Sequence, residues 1–102
     1  PYLVSAAIIA AGLDGIDREL EIDHVCNENL YSLSLEQIAE RGIKTLPQSL
    51  KEACDALEAD PLFAEVLGPQ IVGEFIKLKR MEWVEYSRHV SDWEVQRYTE
   101  FF

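Results

Sequence analysis

Apolar residues lie on every side of the first element that the sequence predicts, and hardly any charge interrupts them. Helical spacing places one apolar row at Val4, Ala7, Ile8 and Ala11 and a second row at Leu3, Ala6, Ala10 and Leu13. A helix over Pro1–Ile16 is predicted, with an extension toward Leu20 left open and with Gly12 and Gly15 as candidate weak points or terminators near its end. A helix without a polar face must be covered by other protein. Since 102 residues supply little cover, we expect this chain to be a piece of a larger protein.

The pattern changes after this helix, where polar residues dominate from Asp17 to Leu33 and predict a long loop. Ser34 followed by Gln37 has the spacing of a capping box, in which both side chains satisfy free N–H groups at a helix start. Gly42 is the type of residue that ends a helix in a left-handed conformation. A short helix over Leu35–Arg41 is therefore predicted.

Four further start and stop signals divide the second half of the chain. Ser49 and Glu52 repeat the capping-box spacing and begin a helix to about Glu58, and Asp60-Pro61 begins a short one. Gly68-Pro69 closes that turn, and the longest helix follows over Pro69–His89. A third pair, Ser91 and Glu94, begins a final helix through Tyr98. The predicted fold class is all-α, an irregular bundle of about five or six helices, one of them long, with no strand.

Charge and composition exclude several classes of partner. Nineteen acidic residues against nine basic ones give a formal net charge of -10, which repels nucleic acid and anionic membranes. No apolar run is long enough to span a membrane. Cys26 and Cys54 lie far apart and form no zinc motif or disulfide framework, although a single bridge stays open. These features favour a protein of the reducing cytoplasm.

Candidate chemistry is sparse, so we predict no catalytic, cofactor-binding or metal-binding residue in this chain. His24 and Cys26 are two residues apart, but two further metal ligands are lacking. His89 suits a helix end, where a cation meets the dipole. The carboxylates that could form an acid–base pair are more typical of a solvated face: Glu82, Glu85 and Asp92. Scattered glycines form no phosphate-binding loop.

Aromatic residues concentrate near the end of the chain: Trp83, Tyr86, Trp93, Tyr98, Phe101 and Phe102. They are typical either of a small core between the last two helices or of a contact with a partner. The terminal pair Phe101-Phe102 favours the partner, because two large apolar side chains would otherwise remain in water.

Three motifs resemble the glutamine synthetase family. The first begins with Pro1-Tyr2-Leu3 and continues through Ala6-Ala7 to Ala11-Gly12-Leu13-Asp14-Gly15-Ile16. The second is Asn29-Leu30-Tyr31, and the third is Ser49-Leu50 with Ala53 and Leu57. Residues 1–102 are thereby identified as the carboxy-terminal helical part of the family's α+β catalytic domain.

The resemblance implies an ATP-dependent ligase that joins ammonia to the γ-carboxylate of glutamate through γ-glutamyl phosphate. It also implies that ATP and Mg²⁺ or Mn²⁺ are held by residues outside this segment, so the segment alone would be inert. Family members form stacked rings, which makes a homo-oligomer the expected partner and Phe101 and Phe102 the expected contacts.

Tyr31 matches a tyrosine that some bacterial members of the family carry in adenylylated form. The flanks depart from that pattern, because Ser32 stands where aspartate is usual and Ser34-Leu35 replaces prolines. An ordinary packed loop tyrosine with its hydroxyl in water is the alternative.

Two alternatives to the ammonia ligase stay open. The altered loop and the aromatic ending also resemble the branch of the family that joins glutamate to other amines, as γ-glutamylamide or γ-glutamylpolyamine synthetases. A chain that kept the fold without the activity would instead be a helical interaction module.

Overall fold

The described residues, 1–22 and 25–101 of the computed structural model, form α-helices and no strand. They comprise α1 (Tyr2–Asp17), α2 (Leu35–Glu40), α3 (Leu50–Ala59), α4 (Pro61–Leu67), α5 (Pro69–Arg88) and α6 (Asp92–Thr99), with a 3₁₀ turn at Leu30–Ser32. The all-α class, the number of helices and the single long helix are confirmed. The chain divides into two compact units, Pro1–Gln48 and Ser49–Phe102. That residues 1–102 are one part of a larger catalytic domain stays a prediction.

Helix α1 forms as predicted, over Tyr2–Asp17, and its end lies one residue beyond the expected Ile16. It runs through both Gly12 and Gly15, so neither candidate glycine terminates it. The helix ends where Glu19 takes a left-handed φ of 50°, and the N–H of Leu20 donates to the carbonyl of Gly15 at 2.9 Å. Two backbone hydrogen bonds of this kind satisfy the last carbonyls and hold a non-glycine residue in that conformation.

The residues around α1 in this chain leave most of its apolar surface in water. Among its side chains only Ala10 is buried, whereas Ile8 and Ile16 are 68% and 72% exposed. An exposed apolar surface of this kind is expected for a helix that is covered by protein outside this chain.

Side-chain caps set the starts of the other helices. Ser34 and Gln37 form both hydrogen bonds of a capping box at α2, and Ser91 and Glu94 do the same at α6. At α3 the Ser49 hydroxyl accepts from the N–H of Glu52 at 3.2 Å. These bonds satisfy N–H groups that have no partner within the helix.

Glycines with positive φ set two helix ends. Gly42 has a φ of 68° after α2, and the N–H of Ile43 donates back to the carbonyl of Ile38. Gly68 has a φ of 92° and joins α4 to α5, where Pro69 occupies the first turn. Both predicted glycine positions are confirmed.

The core of the second unit lies where α3 and α4 pack on α5. Cys54 of α3 contacts Val72 and Ile76 of α5, and all three side chains are buried. Four partly buried side chains surround them: Leu50, Leu57, Phe63 and Leu67. This small apolar cluster holds the three helices together because it is the part of the unit most removed from water.

Ion pairs at the edge of this core join α3 to α5. The Arg80 guanidinium lies 2.7 Å from Asp55 and 2.6 Å from Glu58, and Lys51 lies 2.8 Å from Asp55. The pKa of Asp55 is lowered by hydrogen bonds from Lys51, the larger effect, and from Arg80. The pKa of Arg80 is raised by its hydrogen bonds to Asp55 and Glu58. The side chains are largely solvated, so the pairs fix the position of Arg80 more than they stabilise the fold.

The terminal aromatic residues do not form a shared core in the described part of the chain. Trp83 pairs with Tyr86 within α5 at 6.0 Å between ring centroids, and Trp93 pairs with Tyr98 within α6 at 6.5 Å. Trp93 and Tyr98 remain 64% and 55% exposed. Of the two alternatives that the sequence left open, the described residues do not show the small core between the last two helices, since these ring pairs lie within single helices.

No helix in residues 1–22 or 25–101 combines the length and the apolar character that crossing a bilayer requires. Both cysteines are free thiols, Cys26 exposed and Cys54 buried, so the single bridge that the sequence left open is not formed.

Replacing Ile76 by alanine tests the core. We expect Ile76→Ala to lower the free energy of unfolding by about 2 kcal/mol, because it removes three buried carbons from a core that cannot close fully. Ile71→Ala is the matched control, since Ile71 lies on the same helix and is 56% exposed. Urea unfolding followed by circular dichroism measures both. Equal losses in the two variants would contradict the placement of the core.

Candidate functional site

Tyr31 stands on a tight turn that its neighbours build. The Asn29 side-chain oxygen accepts from the N–H of Tyr31 at 3.1 Å, and the Ser32 hydroxyl donates to the Asn29 carbonyl at 2.7 Å. Asparagine is well suited to this role because its short side chain reaches the backbone two residues ahead. The turn therefore holds the backbone of Tyr31 in a defined position.

The ring of Tyr31 is fully exposed, at 101% of its reference surface. The alternative of a packed loop tyrosine is not what the structure shows, since the described residues offer this ring no cover. Leu30, directly before it, and Leu33, two residues after it, are partly buried.

An ion pair connects the segment before this turn to α2. Arg41, which directly follows the last residue of α2, pairs with the Glu28 carboxylate. Glu28 directly precedes Asn29, so the pair links the Tyr31 turn to a helix. The other sequence candidate in this segment, His24 with Cys26, is not testable, because His24 lies outside the described residues.

The end of the chain presents a second exposed aromatic surface. Phe101 follows α6 and is 71% exposed, and the Arg97 guanidinium lies 5.8 Å from the centre of its ring. Phe102 lies outside the described residues. The Phe101 ring is held by a cation above one face and is otherwise available to a partner.

The remaining candidates are surface groups. Glu82 pairs with Lys79 at 2.6 Å, and Asp92 lies in the first turn of α6. His89 follows α5, and its backbone N–H donates to the carbonyl of Tyr86. Two hydrogen bonds from Ser91, then the nearby His89, lower the pKa of Glu94. That shift follows from capping.

Within the ranges that the structure describes, no three histidine, cysteine, aspartate or glutamate side chains come together as metal ligands. These described residues therefore offer no ligand set of their own for a divalent metal.

Two features of the site were missed by reading the sequence. An asparagine two residues before Tyr31 is the signal for its turn, and it was available in the sequence. The pairing of Arg41 with Glu28, and of Arg80 with Asp55 and Glu58, had no such signal, because each joins residues 13 to 25 positions apart.

Known proteins resemble nearly the whole of this chain. The family described as "Glutamine synthetase, catalytic domain" matches residues 1–98. A glutamate–methylamine ligase of Methyloversatilis universalis is 56% identical over 101 residues, which are 99% of this chain and 23% of that protein.

Glutamine synthetases are also similar along the full chain. That of Halobacterium salinarum is 43% identical over 102 residues, covering 100% of this chain and 22% of the relative. That of Thermotoga maritima is 42% identical over 97 residues, covering 95% and 22%. The chain thus spans less than a quarter of the length of these relatives. By the family match and by these identities, the chain belongs to the glutamine synthetase catalytic-domain family.

Proposed function

We propose that this chain is the carboxy-terminal helical segment of an ATP-dependent ligase that joins an amine to the γ-carboxylate of glutamate. The single observation that carries the proposal is its similarity, over nearly all of its length, to both glutamine synthetases and a glutamate–methylamine ligase. In this reaction class the γ-carboxylate is activated as an acyl phosphate. The amine then attacks the carbonyl carbon, and phosphate leaves.

The proposed acceptor is an alkylamine of the size of methylamine, with ammonia as the second candidate. Identity to the methylamine ligase is 56%, against 43% and 42% for the two glutamine synthetases. The similarity to those glutamine synthetases supports ammonia as the acceptor. Both acceptors need the same activated glutamate, so they differ only in the amine that attacks.

This segment would contribute structure to the ligase and no reacting group. ATP and Mg²⁺ or Mn²⁺ would be held elsewhere in a longer polypeptide of the cytoplasm, and that polypeptide would cover the exposed apolar side of α1. The isolated chain of 102 residues would therefore be inert. The helical interaction module is disfavoured by the high identity to two kinds of ligase, because such identity is expected where the parent activity is retained.

Acceptor preference tests the proposal with the complete enzyme. Methylamine, ammonia, ethanolamine and putrescine would be compared by kcat/KM, with phosphate release as the measurement. We expect methylamine to exceed ammonia by about tenfold or more, the discrimination that a pocket gains from one methyl group. A preference for ammonia would instead support glutamine synthetase activity. If none of the four amines led to phosphate release, the proposal of ligase activity would be contradicted.

Adenylylation of Tyr31 is a separate prediction, which rests on its full exposure and on its match to the modified tyrosine of the family. Incubation of the complete enzyme with a bacterial adenylyltransferase and ATP should add one AMP per subunit and lower activity. Tyr31→Phe should add none, because it removes only the acceptor oxygen. Intact-mass measurement without added AMP on the unaltered enzyme would contradict the prediction.

The exposed aromatic end predicts a contact between subunits. Deleting residues 98–102 from the complete enzyme should shift its assembly from stacked rings toward single rings, because burial of large apolar side chains is lost. Size-exclusion chromatography with light scattering measures the mass. A matched control, Glu100→Gln, alters the same segment without removing apolar surface, and equal masses for all three proteins would refute the contact.

A further inference from the structure

A single ion pair closes the segment that carries Tyr31 into a loop. The Arg41 guanidinium donates a hydrogen bond to the carboxylate of Glu28, which lies 13 residues earlier in the chain. The chain between these two residues contains the Tyr31 turn and the whole of α2. Because the pair joins the two ends of this segment, it restricts the conformations of everything between them.

The arginine end of the pair is fixed by α2. The backbone N–H of Arg41 donates to the carbonyl of Gln37 at 3.3 Å, and Gly42 ends the helical stretch with a φ of 68°. Gln37 also belongs to the capping box with Ser34 at the other end of α2. Local bonds therefore define both ends of this helix, and Arg41 starts from a defined place on it.

The glutamate end of the pair adjoins the turn itself. Glu28 directly precedes Asn29, whose side-chain oxygen accepts from the N–H of Tyr31. Both hydrogen bonds within the turn, that one and the bond from the Ser32 hydroxyl to the Asn29 carbonyl, are exposed to water. Exposed local bonds open readily, so the turn gains order from a contact that reaches beyond it. The Glu28–Arg41 pair is such a contact.

The strength of the pair follows from its exposure. The side chains of Arg41 and Glu28 are 44% and 62% exposed, so water screens their attraction. Exposed pairs of this kind change an equilibrium by about two- to fivefold. An effect of that size leaves the fold intact but changes how often the turn has its closed shape.

We propose that Glu28 and Arg41 are positioning residues for the modification of Tyr31, because their ion pair holds the turn in the shape that an adenylyltransferase binds. The inference rests on the proposed adenylylation of this tyrosine. Both residues act through the turn and not on the hydroxyl that accepts AMP. An enzyme that binds a preformed turn does not have to order it, so loss of the pair weakens binding and leaves the chemical step unchanged.

Cleavage by chymotrypsin after Tyr31 tests the ion pair in the complete enzyme without any modification. Cleavage requires the turn to open, so Glu28→Gln and Arg41→Gln should each raise its rate about threefold. The exchange variant E28R/R41E restores opposite charges and should return the rate to near its original value. Glu40→Gln is the matched control, since it removes one exposed negative charge beside Arg41. Equal cleavage in all proteins, or none, would overturn the proposal, as would an exchange variant as fast as the single variants.

Kinetics of AMP addition test the positioning role. With the complete enzyme as the substrate of a bacterial adenylyltransferase, Glu28→Gln and Arg41→Gln should raise KM about threefold at unchanged kcat, and E28R/R41E should restore KM. Faster addition to the single variants would overturn the positioning role, because it would mean that the turn must open to be modified. Absence of AMP on the unaltered enzyme would instead contradict the proposed adenylylation, and the cleavage rates distinguish that outcome from a failure of the ion pair.

Discussion

The contact of α5 with α3 and α4 is the interaction on which the second unit depends. Val72 and Ile76 pack against Cys54, and these three side chains are the buried cluster of that unit. A cluster of this size offsets little chain entropy, so the helices also need their own local support. The caps at Ser49, Asp60 and Ser91 provide it by satisfying N–H groups that would otherwise lack partners.

The proposed role of this segment as a scaffold agrees with where its charged groups lie. Phosphoryl and acyl transfer require several charged groups held close to the reacting atoms. In the described residues the largest group of closely placed charges instead joins α3 to α5, where Arg80 pairs with Asp55 and Glu58 at the edge of an apolar core. The exposed features include the apolar side of α1, the ring of Tyr31 and the aromatic end of the chain.

Local signals predicted this fold well because they act within a few residues. The spacing of Ser34 and Gln37, the left-handed Gly42 and the proline at 69 each set a helix boundary, and the structure places the boundaries within one or two residues of those predicted. Gly12 gave no such boundary, because the apolar residues on both sides of it continue the helix. The helix ends at a turn around Glu19, which is held by backbone hydrogen bonds that the residue types do not predict.

Long-range contacts and the function were less accessible to reasoning from pattern alone. The aromatic residues after position 82 have the composition of a core, yet Tyr86, Trp93, Tyr98 and Phe101 are exposed. Arg80 and its two carboxylates have no spacing that marks them as partners. Motifs at Pro1–Ile16 and Asn29–Tyr31 identified the family, whereas charge and helix periodicity could only exclude nucleic acid and membranes as partners.

Hydrogen exchange of the backbone amides of α1 tests most directly whether this chain is one segment of a larger ligase. The isolated chain and the complete enzyme would be compared, with α5 as the internal reference because its core contacts lie within this segment. We predict that α1 exchanges rapidly in the isolated chain and is strongly protected in the complete enzyme, whereas α5 changes much less. Equal protection of α1 in both proteins would contradict its role as a helix that the rest of the enzyme covers.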